Sequence, residues 1–421
     1  MKLGFAKKEI TPPAGLELGG YAGYRPNCGV HDPLFCKVIL LEQGDGRYAL
    51  VVLDLMCADE SLCAKIAAAV EPLGISKERL IVSAIHSHAA PAGVIGGQGA
   101  LVQINTAIVP ENPAFAEYMQ AVVHAAAEAC FEAARTVEPF VIRAGQGAMP
   151  PVGSERHTGA QPKGILTAAE FGLQSGKKLI FYNFPCHPTV LSAANLLVSA
   201  DFAGQIEKYL DADLTVFANG AAGDISTRFT RKASSFEECE RMGALAAAYV
   251  RNLLEPLPFE KPKPLRGKQA HVTLAARKVQ PVEEARKQLE ETTLRWQQAV
   301  KDGLDAGQIR ILKSYVEGAG VNLEFAQNMA GITEFSVPVT VFRFAGLPFA
   351  TVPGEFYSTL LPENTAAICY AGGYYRYIAD ENAYAAGHYE AMAAVVAQGS
   401  GEKLSKTIRQ MLEQIKMEEM L

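Results

Sequence analysis

Apolar and polar positions change period along the chain, and the changes mark its elements. Apolar runs predict strands at Val38–Glu42, Ala49–Leu55 and Leu80–Ile85, with an alanine-rich helix at Leu62–Val70 between the last two. Further strands are predicted at Lys178–Asn183, Leu214–Ala218, Val337–Phe344 and Pro348–Val352, and helices at Pro113–Ala134, after Asp201, and at Phe236–Leu254, Pro281–Val300 and Ser405–Met417. A hairpin followed by a helix and another strand predicts an α/β (mixed α+β) domain of layered sheet and helix, not a helical bundle. Residues Ala92–Asn112 contain glycine and hold no steady period, which predicts a long loop of the kind that serves as a lid. The segment Lys261-Pro262-Lys263-Pro264 neither continues a helix nor suits a core, so the chain reads as one domain over 1–421 whose two lobes would divide near 256–265. The sequence shows no internal repeat and no low-complexity tract.

Composition narrows the function. With 421 residues, 49% of them hydrophobic and 20% charged, the chain can bury a large core without covalent staples. Its eight cysteines form no C-x-x-C pair and read as reduced, mostly buried thiols. A net charge of −6 and a pI near 5.8 give no attraction to nucleic acid or an anionic membrane, leaving a small-molecule substrate as the expected partner. Lys7, Lys8 and Glu9 interrupt the stretch where a secretory signal would be apolar, and no run is long enough to insert in a membrane; cytoplasmic residence is the expectation. Oligomeric state has no signature here.

Four segments carry groups capable of chemistry. In Ser83-Ala84-Ile85-His86-Ser87-His88 an apolar strand ends in two histidines two residues apart, which a strand would point to one face. Imidazole binds zinc when neutral and titrates near pH 7, so the pair suits a ligand and an acid/base neighbour; two histidines satisfied by backbone are the alternative. His187 follows another apolar strand between Pro185 and Pro188, a rigid mount for a ligand or a structural histidine in a turn. Cys186 beside it reads as packing more than as a nucleophile. Glu355, after a strand and Pro353-Gly354, needs a partner if buried and otherwise caps a helix. Tyr370–Tyr389 is dense in tyrosine, and no general rule selects a ligand from it. Two histidines and a carboxylate make a plausible catalytic zinc set, although their wide separation offers no spacing test. Gly220-Ala221-Ala222-Gly223-Asp224 lacks the lysine and glycine spacing of phosphate-binding loops.

Taken in order, the motifs resemble those of neutral ceramidases. They are His86-Ser87-His88-Ala89-Ala90-Pro91, Phe184-Pro185-Cys186-His187-Pro188-Thr189, Ser199-Ala200-Asp201-Phe202-Ala203-Gly204, Asn219-Gly220-Ala221-Ala222-Gly223-Asp224 and Pro353-Gly354-Glu355, with the opening Gly4–Pro13. The likeness runs to about Ala391 and is thin over Pro256–Gly331. It implies a zinc amidase in which His86, His187, Glu355 and Tyr377 bind the metal, Tyr377 being chosen because Tyr389-Glu390-Ala391 follows twelve residues later; Tyr374 and Tyr375 are the alternatives. It further implies that His88, Arg156 and Tyr389 handle the scissile carbonyl and its proton, while Asp201 and Asp224 orient ligands or cap helices, capping being the preferred role of Asp201. The departures are the missing export signal, the missing carboxyl-terminal immunoglobulin-like domain, and Ala89-Ala90-Pro91-Ala92-Gly93 where the family shows Ser-Gly-Pro-Gly-Gly. They weigh against long-chain ceramide and make a smaller soluble amide or ester at least its equal as the expected substrate, with esterase or lactonase action, or a non-catalytic binding protein, as the other readings.

Overall fold

The computed structural model describes residues 1–96, 112–162, 164–304 and 306–420. The loop expected at 92–112 falls, from 97 to 111, outside the described residues.

Eight strands form the principal sheet, in spatial order Leu214–Asn219, Lys178–Phe184, Ile165–Leu173, Glu138–Ala148, Lys2–Glu9, Phe35–Gln43, Gly46–Leu53 and Leu80–Ala84. The two outermost pairs are parallel and the inner pairs antiparallel. Every residue of 214–219 is buried, which is why the segment shows no alternation of apolar and polar positions. Helix Pro113–Arg135 covers the 2–9 and 35–43 strands, and helix Phe236–Leu254 covers the 138–148 and 165–173 strands. The caps explain where helices begin: Asp59 accepts from Leu62 N at 2.7 Å and Ser235 from Glu238 N at 3.3 Å, so Glu60–Val70 and 236–254 start just after them.

A second sheet runs Arg266–Ala275, Glu334–Phe344, Leu347–Val352, Ala366–Cys369, the last two parallel. Phe335, Val337, Val339 and Val341 bury one face of its second strand with period two. A helical pair, Val282–Lys301 and Ala306–Asn328, is inserted between its first two strands, in the stretch where the family likeness is thin. A bridge between Ser83 and Ala371 joins the two sheets. Helix Ser400–Met420 packs on the first two strands of the second sheet, 266–275 and 334–344. Among the described residues, no helix is long and apolar enough to cross a membrane.

The arrangement matters because it gathers loop ends. The edge strands of the principal sheet meet at their carboxyl ends, where Asn219 Nδ2 donates to both Ile85 O and Cys186 O at 3.0 Å. His86 and His187 therefore lie on loops tied to one side chain, though a hundred residues separate them.

Candidate active site

The strand before the first histidine motif ends at Ala84, so pleat alternation does not align its two imidazoles as the sequence suggests. Instead His86 takes φ = 70°, a left-handed conformation costly for a residue with a Cβ, and turns the chain back toward the sheet end. Its ring stacks on Tyr370 with centroids 4.1 Å apart, and Nδ1 donates to Met56 O at 2.8 Å. His88 then reaches the same place from the following turn, its Nε2 3.3 Å from His86 Nε2. Gly20, at φ = +87°, lies so close to the His88 ring that any Cβ would overlap it.

His187 enters from the other loop. Its backbone N–H donates to Ile225 O at 3.1 Å, and its Nδ1 donates to the same carbonyl at 2.9 Å. Asp201 holds this loop through Leu191 N at 2.9 Å and Phe202 N at 2.7 Å, so its carboxylate serves the helix start and the histidine loop together. Glu355 and Tyr377 are paired residues of a short parallel ladder, Glu355–Phe356 with Tyr377–Ile378, which sets their side chains on one face. Asp224 accepts from Ser358 N at 2.8 Å and so ties the 219–224 loop to the segment after Glu355. That loop's glycines permit close backbone approach, not phosphate binding: a Cβ on Gly220 would lie 2.8 Å from Pro185 N, and one on Gly223 2.5 Å from Glu355 O.

These elements bring His86, His88 and His187 together, their candidate ligand atoms all within 4.8 Å. Glu355 Oε2 lies 2.8 Å from His187 Nε2 and 3.5 Å from His86 Nε2. Tyr374 Oη donates a short hydrogen bond to the other carboxylate oxygen. The ring of Tyr377 lies alongside that of His187, and its hydroxyl accepts from Arg156 Nη1 at 2.9 Å. Tyr389 meets Tyr377 edge to face at 5.9 Å. Both Tyr374 and Tyr377 thus reach the cluster, whereas Tyr375 hydrogen-bonds Ser336 O on the second sheet.

The donor set fits a divalent cation. Because Met56 O and Ile225 O can only accept, each Nδ1 carries a proton, and each Nε2, which faces the Glu355 carboxylate, is the nitrogen that ligates a metal once its own proton is lost. Burial and the Arg156 charge push the His187 imidazole below its usual value, toward the neutral form. Burial acts to raise Glu355, but the His86 charge and the hydrogen bonds from His187 and His86 outweigh it and hold the carboxyl well below its usual range. The Nε2 atoms of two imidazoles therefore converge on a buried carboxylate with spacings of 2.8 and 3.5 Å, close to the ~3.3 Å expected between tetrahedral ligands at zinc bond lengths. Burial drives the Tyr377 phenol well above its ordinary value despite Arg156, so a metal would be what makes it a ligand. His88, lowered by burial and by the charges of His86 and His187, is a neutral imidazole whose Nδ1 is buried without a hydrogen-bond partner among the described residues.

Two contributors have no signal of their own in the sequence. Tyr370 supports His86 by stacking, and Glu390 pairs with Arg156 Nη1 at 3.1 Å and with His157 Nε2 at 3.0 Å. Glu390 stands in the tyrosine-rich stretch, but its burial, which turns a carboxylate into an anchor, is a property of the fold. Cys186 is packing: buried, its thiol raised far above the ordinary value by burial.

No family model and no curated protein matches the sequence. Among solved structures the chain is similar to the neutral ceramidase from Pseudomonas aeruginosa, with a TM-score of 0.72 and 16% identity over 97% of this chain and 73% of that one. It is similar also to a ceramidase complexed with C2, with a TM-score of 0.71 and 14% identity over 99% of this chain and 75% of that one. At these identities it is backbone architecture that is shared, and the chain has a neutral-ceramidase-like fold.

Proposed function

We propose that this protein is a zinc-dependent hydrolase that cleaves the amide bond of a small N-acyl substrate, with His86, His187, Glu355 and Tyr377 as the metal ligands. The observation that carries the reading is the convergence of two Nε2 atoms on the buried Glu355 carboxylate, each imidazole fixed from behind by a backbone carbonyl. The fold neighbours being ceramidases supports an amide as the bond attacked. Zinc, when bound, polarises a carbonyl and lowers the pKa of a coordinated water toward ~7.

The remaining work falls to side chains. His88, neutral and with one nitrogen 3.3 Å from His86, can take a proton from the attacking water and return it to the leaving amine. Arg156 is held by Glu390 and Tyr377, so its charge is fixed before substrate arrives and needs no reorganisation as negative charge develops on the carbonyl oxygen. Tyr389 is the second donor for that charge. Cytoplasmic residence and a soluble substrate belong to the same proposal.

The test is a panel of N-acyl amides, esters and lactones offered to zinc-loaded protein and to His187→Ala. Amide turnover that requires zinc and is lost in His187→Ala supports the reading. Turnover of esters or lactones alone reassigns the bond, and stoichiometric zinc without turnover of any class makes the protein a binding module.

A further inference from the structure

Beside the first cluster, on the far side of Arg156, lies a second group of metal-ligating side chains. His157 follows Arg156 in the turn after Ser154–Glu155, while His388 and Glu390 stand at the start of the short helix Tyr389–Met392. One candidate ligand atom from each lies within 4.8 Å of the others. The imidazoles stack with centroids 3.7 Å apart and planes 15° from parallel, and His157 Nε2 is 3.0 Å from Glu390 Oε2. Arg156 engages the other carboxylate oxygen, Oε1, at 3.1 Å, while Tyr357 Oη donates to Oε2 at 3.3 Å. His388 Nδ1 is buried and has no hydrogen-bond partner among the described residues, an uncompensated cost unless something else takes its lone pair. Glu390 has a side chain only 2% exposed, whereas His157 retains 26%, so one side of the group is open to water.

We infer that His157, His388 and Glu390 form a second, independent transition-metal site that clasps the turn carrying Arg156 to the 389–392 helix. Two imidazoles and one carboxylate select a borderline cation such as Zn²⁺, Co²⁺ or Ni²⁺ over Ca²⁺ or Mg²⁺, which take oxygen ligands. Bonds of about 2.0–2.2 Å require the donors to draw closer than 4.8 Å, a movement the solvent-facing His157 ring can supply. Three protein ligands with water completing the shell make this the weaker and more exchangeable of the two centres. The site does not depend on the hydrolase reading, since none of its ligands belongs to the first cluster.

Calorimetric titration of metal-free protein with Zn²⁺, repeated with Co²⁺ and followed by visible absorption, tests it in wild type, His157→Ala, His388→Ala and His187→Ala. The expected result is two equivalents in wild type, with the weaker one reduced at least tenfold in affinity by His157→Ala and by His388→Ala but retained in His187→Ala. The part of the thermal stabilisation that appears only at Zn²⁺ concentrations filling the weaker site should likewise persist in His187→Ala and vanish in the other two. The inference is overturned if no equivalent is weakened by His157→Ala and His388→Ala, whether wild type takes up one or two. If His388→Ala fails to fold, His157→Ala carries the test, because its ring lies at the surface. Should the tight equivalent prove indifferent to His187→Ala while the weaker one is lost in the other variants, the hydrolase centre fails and this site stands.

Discussion

Replacing Gly223 with alanine adds one methyl group to a residue that supplies no metal ligand, its carbonyl only accepting from Arg156 Nη1 at 3.3 Å, yet it should damage the metal centre. The new Cβ would sit 2.5 Å from Glu355 O, 2.9 Å from Tyr357 Cδ1 and 3.0 Å from the carbonyl carbon of Phe356. Ordinary contact begins at 3.4 Å, so about 0.9 Å of relief is needed against Glu355 O. Two of the three obstacles are backbone, and the Gly223 N–H itself donates to Phe356 O at 2.9 Å, so the strain cannot be shed by rotating a side chain. Overpacking of this kind costs ~1–3 kcal/mol of stability. Moving the Glu355 backbone by most of an ångström should weaken zinc binding by roughly 10–100-fold, as disturbance of ligand support usually does. The loss in kcat/KM should be on the order of 10²-fold. Zinc competition against a chromophoric chelator gives the affinity, and denaturant unfolding gives the stability. A Gly223→Ala protein with wild-type zinc affinity and an unchanged midpoint would refute the packing argument and the placement of Glu355 at the metal.

Other consequences separate the roles of neighbouring side chains. His88→Gln should keep one tightly bound zinc while the rate falls ~10²–10⁴-fold; zinc lost with the rate would make His88 a ligand. Arg156→Lys keeps the charge but not the guanidinium nitrogen that meets both Tyr377 and Glu390, and should lower kcat by about 10²-fold with zinc retained, an unchanged kcat being the contrary result. Burial acts to raise the Glu390 carboxyl, but Arg156 and His157 outweigh it and bring it to about 2. A carboxyl depressed on folding contributes stability that is present above its unfolded value near 4.5 and lost as pH falls toward 2. Wild type should therefore lose roughly 3 kcal/mol more unfolding free energy than Glu390→Gln between pH 6 and pH 2, because a tenfold difference in proton affinity between the folded and unfolded chain is worth ~1.36 kcal/mol; parallel curves would contradict the pairing.

Periodic segments are legible in the sequence, and irregular ones are not. Phe236–Leu254 is predicted to the residue because Ser235 caps it and its apolar stripe is clean. The first strand, Lys2–Glu9, escapes prediction since Gly4, Lys7 and Lys8 spoil its alternation; Gly4 is there because helix residue Ala133 presses its carbonyl against that position. Helix Ala306–Asn328 escapes in the same way, its Gly318 making room for Met392, where a Cβ would lie 2.8 Å from the methyl carbon. At the site, residue types and strand ends point to His86, His187 and Glu355, but the reason they meet is tertiary. Asn219 ties two loops together, a left-handed His86 aims its ring, and a ladder of two residues per strand sets Glu355 beside Tyr377. Neither the His157–Glu390 pair nor the support from Tyr370 can be inferred from sequence, because each depends on contacts across more than two hundred residues.

Crystallography of zinc-loaded protein with anomalous scattering at the zinc edge tests the central claim most directly. The account predicts one strong peak about 2.0–2.2 Å from Nε2 of His86, Nε2 of His187 and a Glu355 oxygen, with the Tyr377 oxygen completing the set. A cluster that excludes the ion under these conditions, with Glu355 still hydrogen-bonded to an imidazolium and the scattering elsewhere or absent, would contradict it.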